Sequence, residues 1–270
     1  MYQRSSMGIV AVSVMLSACQ PVNTTEGGAL GVHREQYMFS MLSEAQVNQM
    51  YAQSYQETLT TAAKEGVLEQ SGTVNQRIQG IAKRLIAQVG VFRQDALSWN
   101  WEVNVIDSDE LNANCGPGGK IIFYTGLINK LKLTDDEIAA VMGHEIAHAL
   151  REHGREAMSK AYGVQMATQV GTAFGFGAGA DLANTGVKYL MTLPNSRQNE
   201  NEADLIGLEL AARAGYNPNA ALTLWQKMSA AGGNPPEFLS THPAPSNRMA
   251  ALQAAIPKVM PLYEQAKARR

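Results

Sequence analysis

Two histidines and a glutamate lie within five consecutive residues, His144-Glu145-Ile146-Ala147-His148. In a helix, four residues advance the chain by about 400°, so His144 and His148 would project from one face, a single turn apart. Two imidazole nitrogens in this position suit one Zn²⁺ ion. Glu145 lies between them in angle, where its carboxylate can take a proton from a water molecule without binding the metal. The spacing is typical of zinc peptidases; a solvated helical histidine and glutamate pair is the alternative.

The residues around this motif predict the helix that it needs. Thr134 and Glu137 have the spacing of a capping box. A core-facing apolar stripe follows, formed by Ile138, Val141, Met142, Ile146 and Ala149. We therefore expect a helix over Thr134–Glu152, which Gly154 can end. Polar groups on a buried helix face need a partner, and a bound metal ion supplies one.

Two histidines leave a zinc site incomplete, so a third ligand must come from another segment, with one position open for water. The candidates lie near the start of a second predicted helix, which runs to about Ala214: they are Glu200, Glu202 and Asp204. Glu200 and Asp204 are four residues apart and share a helix face, whereas Glu202 points elsewhere. Carboxylates near a helix start often only complement the helix dipole, so spacing favours Glu200 without excluding the other two.

Further motifs extend the pattern: Glu200-Asn201-Glu202-Ala203-Asp204, then Thr241-His242-Pro243 and Arg248. Together with the histidine motif they closely resemble the HtpX/BepA/LoiP family of zinc metallopeptidases, which includes the CAAX prenyl proteases and the mitochondrial Oma peptidases. The resemblance covers about residues 99–249. It implies one zinc ion per chain, bound by His144, His148 and Glu200. It also implies that Asp204 orients a ligand histidine, since metal-bound imidazoles need an acceptor for their outer nitrogen.

The resemblance suggests roles for two more residues. In BepA-type relatives the histidine of the His-Pro pair approaches the zinc as an additional ligand, and in others it lies near the substrate. We therefore expect His242 either to gate the water position or to stabilise the transition state, with a rigid turn residue as the alternative. Arg248 is expected to hold this loop or to face the oxyanion. His153 lies about 140° around the helix from His148, so we do not expect it to bind the metal.

Composition and periodicity limit the class of protein and fold. The 270 residues are 45% hydrophobic, which is enough for a full core. The net charge of −2 gives no sign of the positively charged surface that nucleic-acid binding requires. Capping and alternation predict helices over 43–64 and 73–89, and strands over Trp99–Ile106 and Lys120–Tyr124. With the resemblance, these elements predict an α+β fold: a mostly helical zincin of the gluzincin type, with a small β-sheet beside the zinc helix.

Three further predictions follow from the strand and helix patterns. In zincins the edge strand beside the cleft pairs with an extended substrate, so β-augmentation is expected at Lys120, Ile121, Ile122, Phe123 and Tyr124. The Gly- and Ala-rich stretch 161–193 is interrupted by polar residues, which predicts a helical excursion and not a membrane span. The TPR module of BepA-like relatives is not detectable.

The N-terminal residues predict a lipoprotein. Residues 1–18 contain a short apolar core after Arg4 and are predicted to be a signal peptide. Leu16-Ser17-Ala18-Cys19 resembles a bacterial lipobox, so Cys19 is expected to carry the acyl chains; a plain secretory signal is the alternative. Residues 19–40 are predicted to be a lipidated polar tether, and residues 41–270 the peptidase domain. Gln20 in place of aspartate favours the outer membrane, with the enzyme facing the periplasm.

These predictions combine into a functional hypothesis. We expect a membrane-anchored zinc endopeptidase that hydrolyses unfolded or misassembled envelope proteins; the quality-control role comes from the resemblance alone. The alternative is a gated, zinc-bearing chaperone or assembly factor for outer-membrane proteins, with little peptidase activity. A structural lipoprotein with an incidental motif would bind no zinc. The remaining cysteine, Cys115, is expected to be an inert, partly buried thiol.

Overall fold

The computed structural model describes residues 19–173, 195–230, 237–242 and 247–269. In chain order its helices are α1 (Glu44–Lys64), α2 (Thr73–Ile86), α3 (Thr125–Lys130), α4 (Asp135–Leu150), α5 (His153–Ala173), α6 (Arg197–Arg213), α7 (Ala220–Ala230), α8 (Glu237–Thr241) and α9 (Asn247–Ala268). Its strands are β1 (Cys19–Val22), β2 (Gln36–Phe39), β3 (Leu68–Glu69), β4 (Glu102–Ile106), β5 (Ala113–Gly116) and β6 (Lys120–Tyr124). The predicted signal peptide and residues 174–194 of the Gly- and Ala-rich stretch lie outside the described residues.

Helix α4 carries the histidine motif and begins as predicted. The Thr134 hydroxyl accepts a hydrogen bond from the Glu137 N–H at 3.3 Å, and the Glu137 carboxylate accepts one from the Thr134 N–H at 2.8 Å. The helix ends earlier than predicted, at Leu150, because Glu152 takes a left-handed φ of 50°. Ion pairs of the Glu152 carboxylate with Arg93 and Arg155 stabilise this break. Gly154 therefore lies in the next helix, α5, and does not end α4.

Helices α4 and α6 pack at a close crossing of their backbones. A Cβ atom at Gly143 of α4 would lie 2.8 Å from the Gly207 carbonyl oxygen of α6. A Cβ atom at Gly207 would lie 2.6 Å from the His144 backbone nitrogen. Only glycine at both positions allows this approach, since neither contact leaves room for a side chain. The crossing brings the carboxylates at the start of α6 to the histidines of α4.

The main sheet has the strand order β3-β4-β6-β5. Strand β6 pairs with β4 in parallel and with β5 in an antiparallel ladder, in which Cys115 faces Ile121. The strand bounds predicted for Lys120–Tyr124 are correct, but the predicted substrate pairing of Lys120, Ile121, Ile122, Phe123 and Tyr124 is wrong. Both edges of β6 are already hydrogen-bonded to neighbouring strands, so β6 cannot add a substrate strand. The outer strands of the sheet in the described residues are β3 and β5, and of these β5 lies beside α4.

The N-terminal segment, residues 19–40, differs from the predicted tether because it packs on the domain. Strands β1 and β2 form an antiparallel pair in which Cys19 faces Phe39. The Ala29 N–H donates to the Glu209 carboxylate of α6 at 2.8 Å. Gln36 is fully buried and donates to the Arg151 carbonyl oxygen at 2.6 Å. The folded unit therefore includes this segment and does not begin at residue 41.

The remaining elements agree with the predicted fold class. Ser43 caps α1 with the predicted capping box, whereas α2 ends three residues before the predicted Val89 and β4 begins at Glu102. Helices predominate, and the small sheet lies beside α4. The predicted α+β, mostly helical, zincin-like fold is thus confirmed.

Candidate metal centre

Four side chains converge at one buried point. His144 and His148 come from α4, Glu200 from the first turn of α6, and His242 directly follows α8. One nitrogen or oxygen atom of each lies within 4.8 Å of the other three. His144 Nε2 is 3.0 Å from His148 Nε2 and 3.3 Å from His242 Nδ1. Glu200 Oε1 is 3.0 Å from His242 Nδ1 and 3.3 Å from His148 Nε2.

This spacing fits a bound metal ion. Zinc bonds of about 2.0–2.1 Å, arranged as a tetrahedron, separate the donor atoms by about 3.3 Å. Nitrogen and carboxylate oxygen donors are also the types that zinc prefers in proteins. The Glu200 side chain is fully buried, and an ionised carboxylate at such a position requires a positive partner.

The electrostatics of the pocket favour positive charge between the ligands. Although burial opposes it, hydrogen bonds with His144, His148 and His242 hold the pKa of Glu200 well below its usual range. Burial tends to lower the pKa of His144, but the Asp204 and Glu200 carboxylates raise it to about 9. A divalent cation would supply the positive charge that these carboxylates stabilise.

Behind the ligands, Asp204 and Arg248 form a buried support. Asp204 Oδ1 lies 3.0 Å from Nδ1 of His144, the nitrogen that points away from the other ligands. Arg248 Nε donates to Asp204 Oδ2 at 2.6 Å, and Arg248 Nη1 lies 2.7 Å from Glu200 Oε2. The Arg248 guanidinium also stacks on Trp225 at 4.1 Å. Arg248 therefore lies behind the ligands. Of its two expected positions, the one facing an oxyanion in the cleft does not agree with this placement.

Glu145 lies on the opposite side of the ligands, facing a cavity of about 530 Å³. Glu145 is buried, and its carboxylate is hydrogen-bonded to the backbone of Cys115 in β5. Oε1 has no hydrogen bond to the part of the chain that the structure describes, and it lies 3.4 Å from His242 Nε2. Burial raises the pKa of Glu145 above its usual range.

The cavity runs between α4 and the outer strand β5. Its lining includes Glu145, His148 and His242 from the metal side, and Tyr51 of α1 with Cys115 and its neighbours from the sheet side. The Tyr51 hydroxyl donates to the Asn114 side chain at 2.9 Å, which fixes α1 against the strand. Cys115 is buried, and burial raises the pKa of its thiol well above its usual range, so the thiol stays protonated.

His153 is the site residue that sequence reasoning missed. Its Nδ1 lies 2.8 Å from His148 Nδ1, and its Nε2 lies 3.2 Å from Glu202 Oε2. It lies outside the group of four converging side chains, yet it contacts His148, a member of that group. The angle of about 140° assumed one continuous helix, whereas the break at Glu152 turns His153 towards His148. The break is stabilised by ion pairs of Glu152 with Arg93 and Arg155. The pair with Arg93 joins distant segments, so the local sequence does not reveal it.

The structure thus brings together most of the predicted site residues. His144, His148, Glu200 and His242 meet at one point, with Glu145 beside them and Asp204 and Arg248 behind. Glu202 points away from the point of convergence, as predicted, towards His153, Arg34 and Arg151. Cys19, the expected lipid attachment site, is the first residue of β1. Among the described residues, each helix is too short or too polar to traverse a bilayer.

Comparisons with known proteins give a consistent result. The model of Peptidase family M48 matches residues 73–256. The mitochondrial metalloendopeptidase OMA1 of Arabidopsis thaliana is 38% identical over 174 residues, covering 63% of this chain and 35% of the relative. The Schizosaccharomyces pombe OMA1 is 33% identical over 184 residues, covering 67% and 52%. The beta-barrel assembly-enhancing protease of Escherichia coli is 28% identical over 204 residues, covering 71% and 41%.

The chain therefore spans between about a third and about a half of the length of these curated relatives. The matched region includes the histidine motif, Glu200 and His242. The match extends over more than half of the chain and confirms the resemblance predicted from the motifs. The chain belongs to peptidase family M48.

Proposed function

We propose that this chain is a zinc-dependent endopeptidase whose active site lies between α4 and β5. The observation that carries the proposal is the convergence of four ligand atoms within 4.8 Å, beside a cavity that is lined by two of these residues and by Glu145. The ligands are His144, His148 and Glu200, with His242 in the fourth position. One zinc ion per chain fits this donor set.

The reaction follows from the positions of the side chains. A bound zinc ion supplies Lewis-acid activation of water and polarises the scissile carbonyl. Glu145 takes a proton from the attacking water and passes it to the leaving amine. Two features of Glu145 support this role: its Oε1 is not hydrogen-bonded within the described residues, and burial raises its pKa, which makes the carboxylate a stronger base.

His242 serves as a gate in this proposal. A catalytic zinc site keeps one position open for water, whereas His242 Nδ1 lies 3.0 Å from Glu200 and 3.3 Å from His144, among the ligand atoms. The His242 ring stacks on Phe238 at 4.4 Å, which holds it in this position. Cleavage therefore requires His242 to move away from the ligands when substrate binds.

We assign the binding of an extended substrate to β5 instead of β6. In the described sheet β5 is the outer strand that borders the cavity: its residues line the cavity, and the Cys115 backbone contacts Glu145. A substrate strand beside β5 would gain main-chain hydrogen bonds that do not depend on side-chain identity. Such recognition suits a peptidase that acts on many unfolded chains.

The proposed substrates are unfolded or misassembled proteins of the bacterial cell envelope. The Escherichia coli relative is a beta-barrel assembly-enhancing protease, which supports this setting, although other relatives are mitochondrial. We further propose that the signal peptide of residues 1–18 is removed and that Cys19 carries acyl chains. The enzyme would then be a lipoprotein that faces the periplasm, anchored to the outer membrane.

A second function is favoured by the position of His242. If the ring stays among the ligands, the protein would act as a gated, zinc-bearing chaperone or assembly factor for outer-membrane proteins, with little peptidase activity. The intact Glu145 and the cavity beside it favour the peptidase.

The test compares wild type with Glu145→Gln, loaded with zinc, for zinc content and for cleavage of unfolded casein. We expect both proteins to bind one zinc ion, and only wild type to cut. A loss of at least about 1,000-fold is expected, because the reaction loses its proton-transfer group. Glu264→Gln, an exposed glutamate of α9, is the matched control and should cut like wild type.

The outcomes separate the two functions. Zinc binding without cleavage by wild type would favour the assembly factor. Equal cleavage by wild type and Glu145→Gln would overturn the proposed role of Glu145. Absence of zinc in wild type, after incubation with excess zinc, would overturn both proposals.

A further inference from the structure

In the two histidines of α4, the ring nitrogen that points away from the other ligands, Nδ1, contacts different partners. Nδ1 of His144 lies 3.0 Å from the Asp204 carboxylate. Nδ1 of His148 lies 2.8 Å from Nδ1 of His153, so its partner is an imidazole and not a carboxylate. The His148 and His153 rings meet edge to face, with centroids 4.8 Å apart. This second arrangement has no counterpart in the predicted site.

The positions of the nitrogens determine the direction of the hydrogen bond. Nε2 of His148 faces His144 Nε2 and Glu200 Oε1, so as a ligand atom it must be free of a proton. The ring hydrogen of His148 then lies on Nδ1 and is donated to His153 Nδ1. His153 must in turn carry its hydrogen on Nε2, which lies 3.2 Å from Glu202 Oε2 and donates to it.

Glu202 is fixed by two arginines, so the chain of contacts ends at a rigid point. Arg151 Nε donates to Glu202 Oε2 at 3.0 Å, and Arg34 also pairs with this carboxylate. His153 and Arg151 are about 1% exposed or less, so solvent does not replace these partners. Arg34 comes from the N-terminal segment, which links that segment to the ligand through Glu202 and His153.

We propose that His153 is a positioning residue for the metal centre: its Nδ1 accepts the hydrogen bond of His148, and Glu202 holds the His153 ring in the accepting tautomer. The inference rests on the proposed metal site at His148, but not on proteolysis. An acceptor on the outer nitrogen fixes the orientation of a ligand imidazole and makes it a stronger donor to the metal. His153 therefore contributes to zinc affinity without touching zinc.

A merely structural His153 would fill space and satisfy Glu202 without affecting the metal. Two substitutions distinguish these roles, because they keep different halves of the ring. In His153→Asn, the amide oxygen occupies the place of Nδ1 and still accepts from His148, while the contact with Glu202 is lost. In His153→Gln, the longer amide reaches the place of Nε2 and still donates to Glu202, while the acceptor for His148 is lost.

The experiment measures zinc affinity of the full chain by competition with a chelating dye, and the thermal stability of each metal-free variant. We expect His153→Gln to bind zinc about 10- to 100-fold more weakly than wild type, as for other lost partners of ligand histidines. His153→Asn should stay within about threefold of wild type, because its acceptor remains. The visible spectrum of the cobalt-loaded protein should change in His153→Gln and be retained in His153→Asn.

Three results would overturn the inference. His153→Gln could bind zinc as tightly as wild type, His153→Asn could lose as much affinity as His153→Gln, or the affinities could simply follow the stability of the metal-free variants. Failure of the proposed metal site gives a different result, since wild type itself would then bind no zinc, and failure of proteolysis alone leaves these zinc affinities unchanged. The two failures are therefore distinguishable in one set of measurements.

Discussion

The metal-binding face of α4 and the N-terminal segment, residues 19–40, contribute to the same buried cluster in different ways. The α4 face provides His144, Glu145 and His148 from five consecutive residues, so its chemistry is local in sequence. The N-terminal segment provides Arg34, which pairs with Glu202 at a separation of 168 residues. Chemistry is thus encoded locally, whereas the charges that support it come from distant parts of the chain.

The difference predicts separate consequences for the two regions. Changes at the converging ligands, on α4 or at the start of α6, should remove zinc and activity while the fold persists. Changes at the N-terminal segment should weaken the fold, because they remove a positive partner from buried carboxylates. Three predictions test this separation.

The largest effect is expected at Glu200. Glu200→Gln removes the anionic ligand, so we expect zinc affinity to fall at least about 100-fold and casein cleavage to be lost. The metal-free variant should keep the helical content of wild type, measured by circular dichroism. Global unfolding of the variant would contradict the separation, because the ligand would then also be essential for the fold. Glu264→Gln again provides the control at an exposed site.

A large effect on stability is expected at Arg34. Arg34→Met removes one positive partner from each of the buried carboxylates Glu156 and Glu202, each of which keeps one other cationic partner. Because Arg34 is partly exposed, we expect a loss of about 1–3 kcal/mol, between the values for surface and buried pairs. Urea unfolding of the metal-free protein measures this loss. Arg77→Met is the matched control: the Arg77–Asp135 pair is largely exposed, so about 0–1 kcal/mol is expected. Equal losses in the two variants would show that the N-terminal segment does not support the cluster.

The smallest effect is a pH dependence that arises from Glu156. Although burial opposes it, hydrogen bonds from Arg34, Lys160 and Gln36 lower the pKa of Glu156 from 4.5 to about 2. Because the folded-state pKa is depressed, the stabilisation is present above pH 4.5 and is lost as the pH falls towards 2. The loss is at most about 1.4 kcal/mol per pH unit.

Urea unfolding of the metal-free protein at several pH values between 5.5 and 3 measures this dependence. The stability difference between wild type and Glu156→Gln should shrink as the pH decreases through this range. A difference that is independent of pH would mean that the Glu156 carboxylate gains nothing from Arg34.

Much of the fold and of the site could be predicted because the signals were local. The capping residue Thr134, the strand Lys120–Tyr124 and the co-facial pair His144 and His148 follow from spacing within one element. Glu200 required the resemblance, since spacing alone also allowed its neighbours. The order of strands could not be predicted, because two short strands give no signal of which one lies outside.

The errors at His153 and in the N-terminal segment have a common physical cause. His153 depends on the left-handed break at Glu152, which is stabilised by Arg93 from a distant segment. Arg34 depends on partners in α5 and α6, and a polar stretch with no periodicity looks like a tether. Long-range pairing of charged side chains leaves no trace in a local sequence window.

The central claim is that one zinc ion is bound by His144, His148, Glu200 and His242. X-ray absorption at the zinc edge, with zinc content measured on the same sample of full-length protein, tests it most directly. We predict one zinc per chain, nitrogen and oxygen scatterers at about 2.0–2.1 Å, and outer-shell features of three imidazoles that fall to two in His242→Ala. A sulfur scatterer at about 2.3 Å, or less than one imidazole per zinc, would contradict the account.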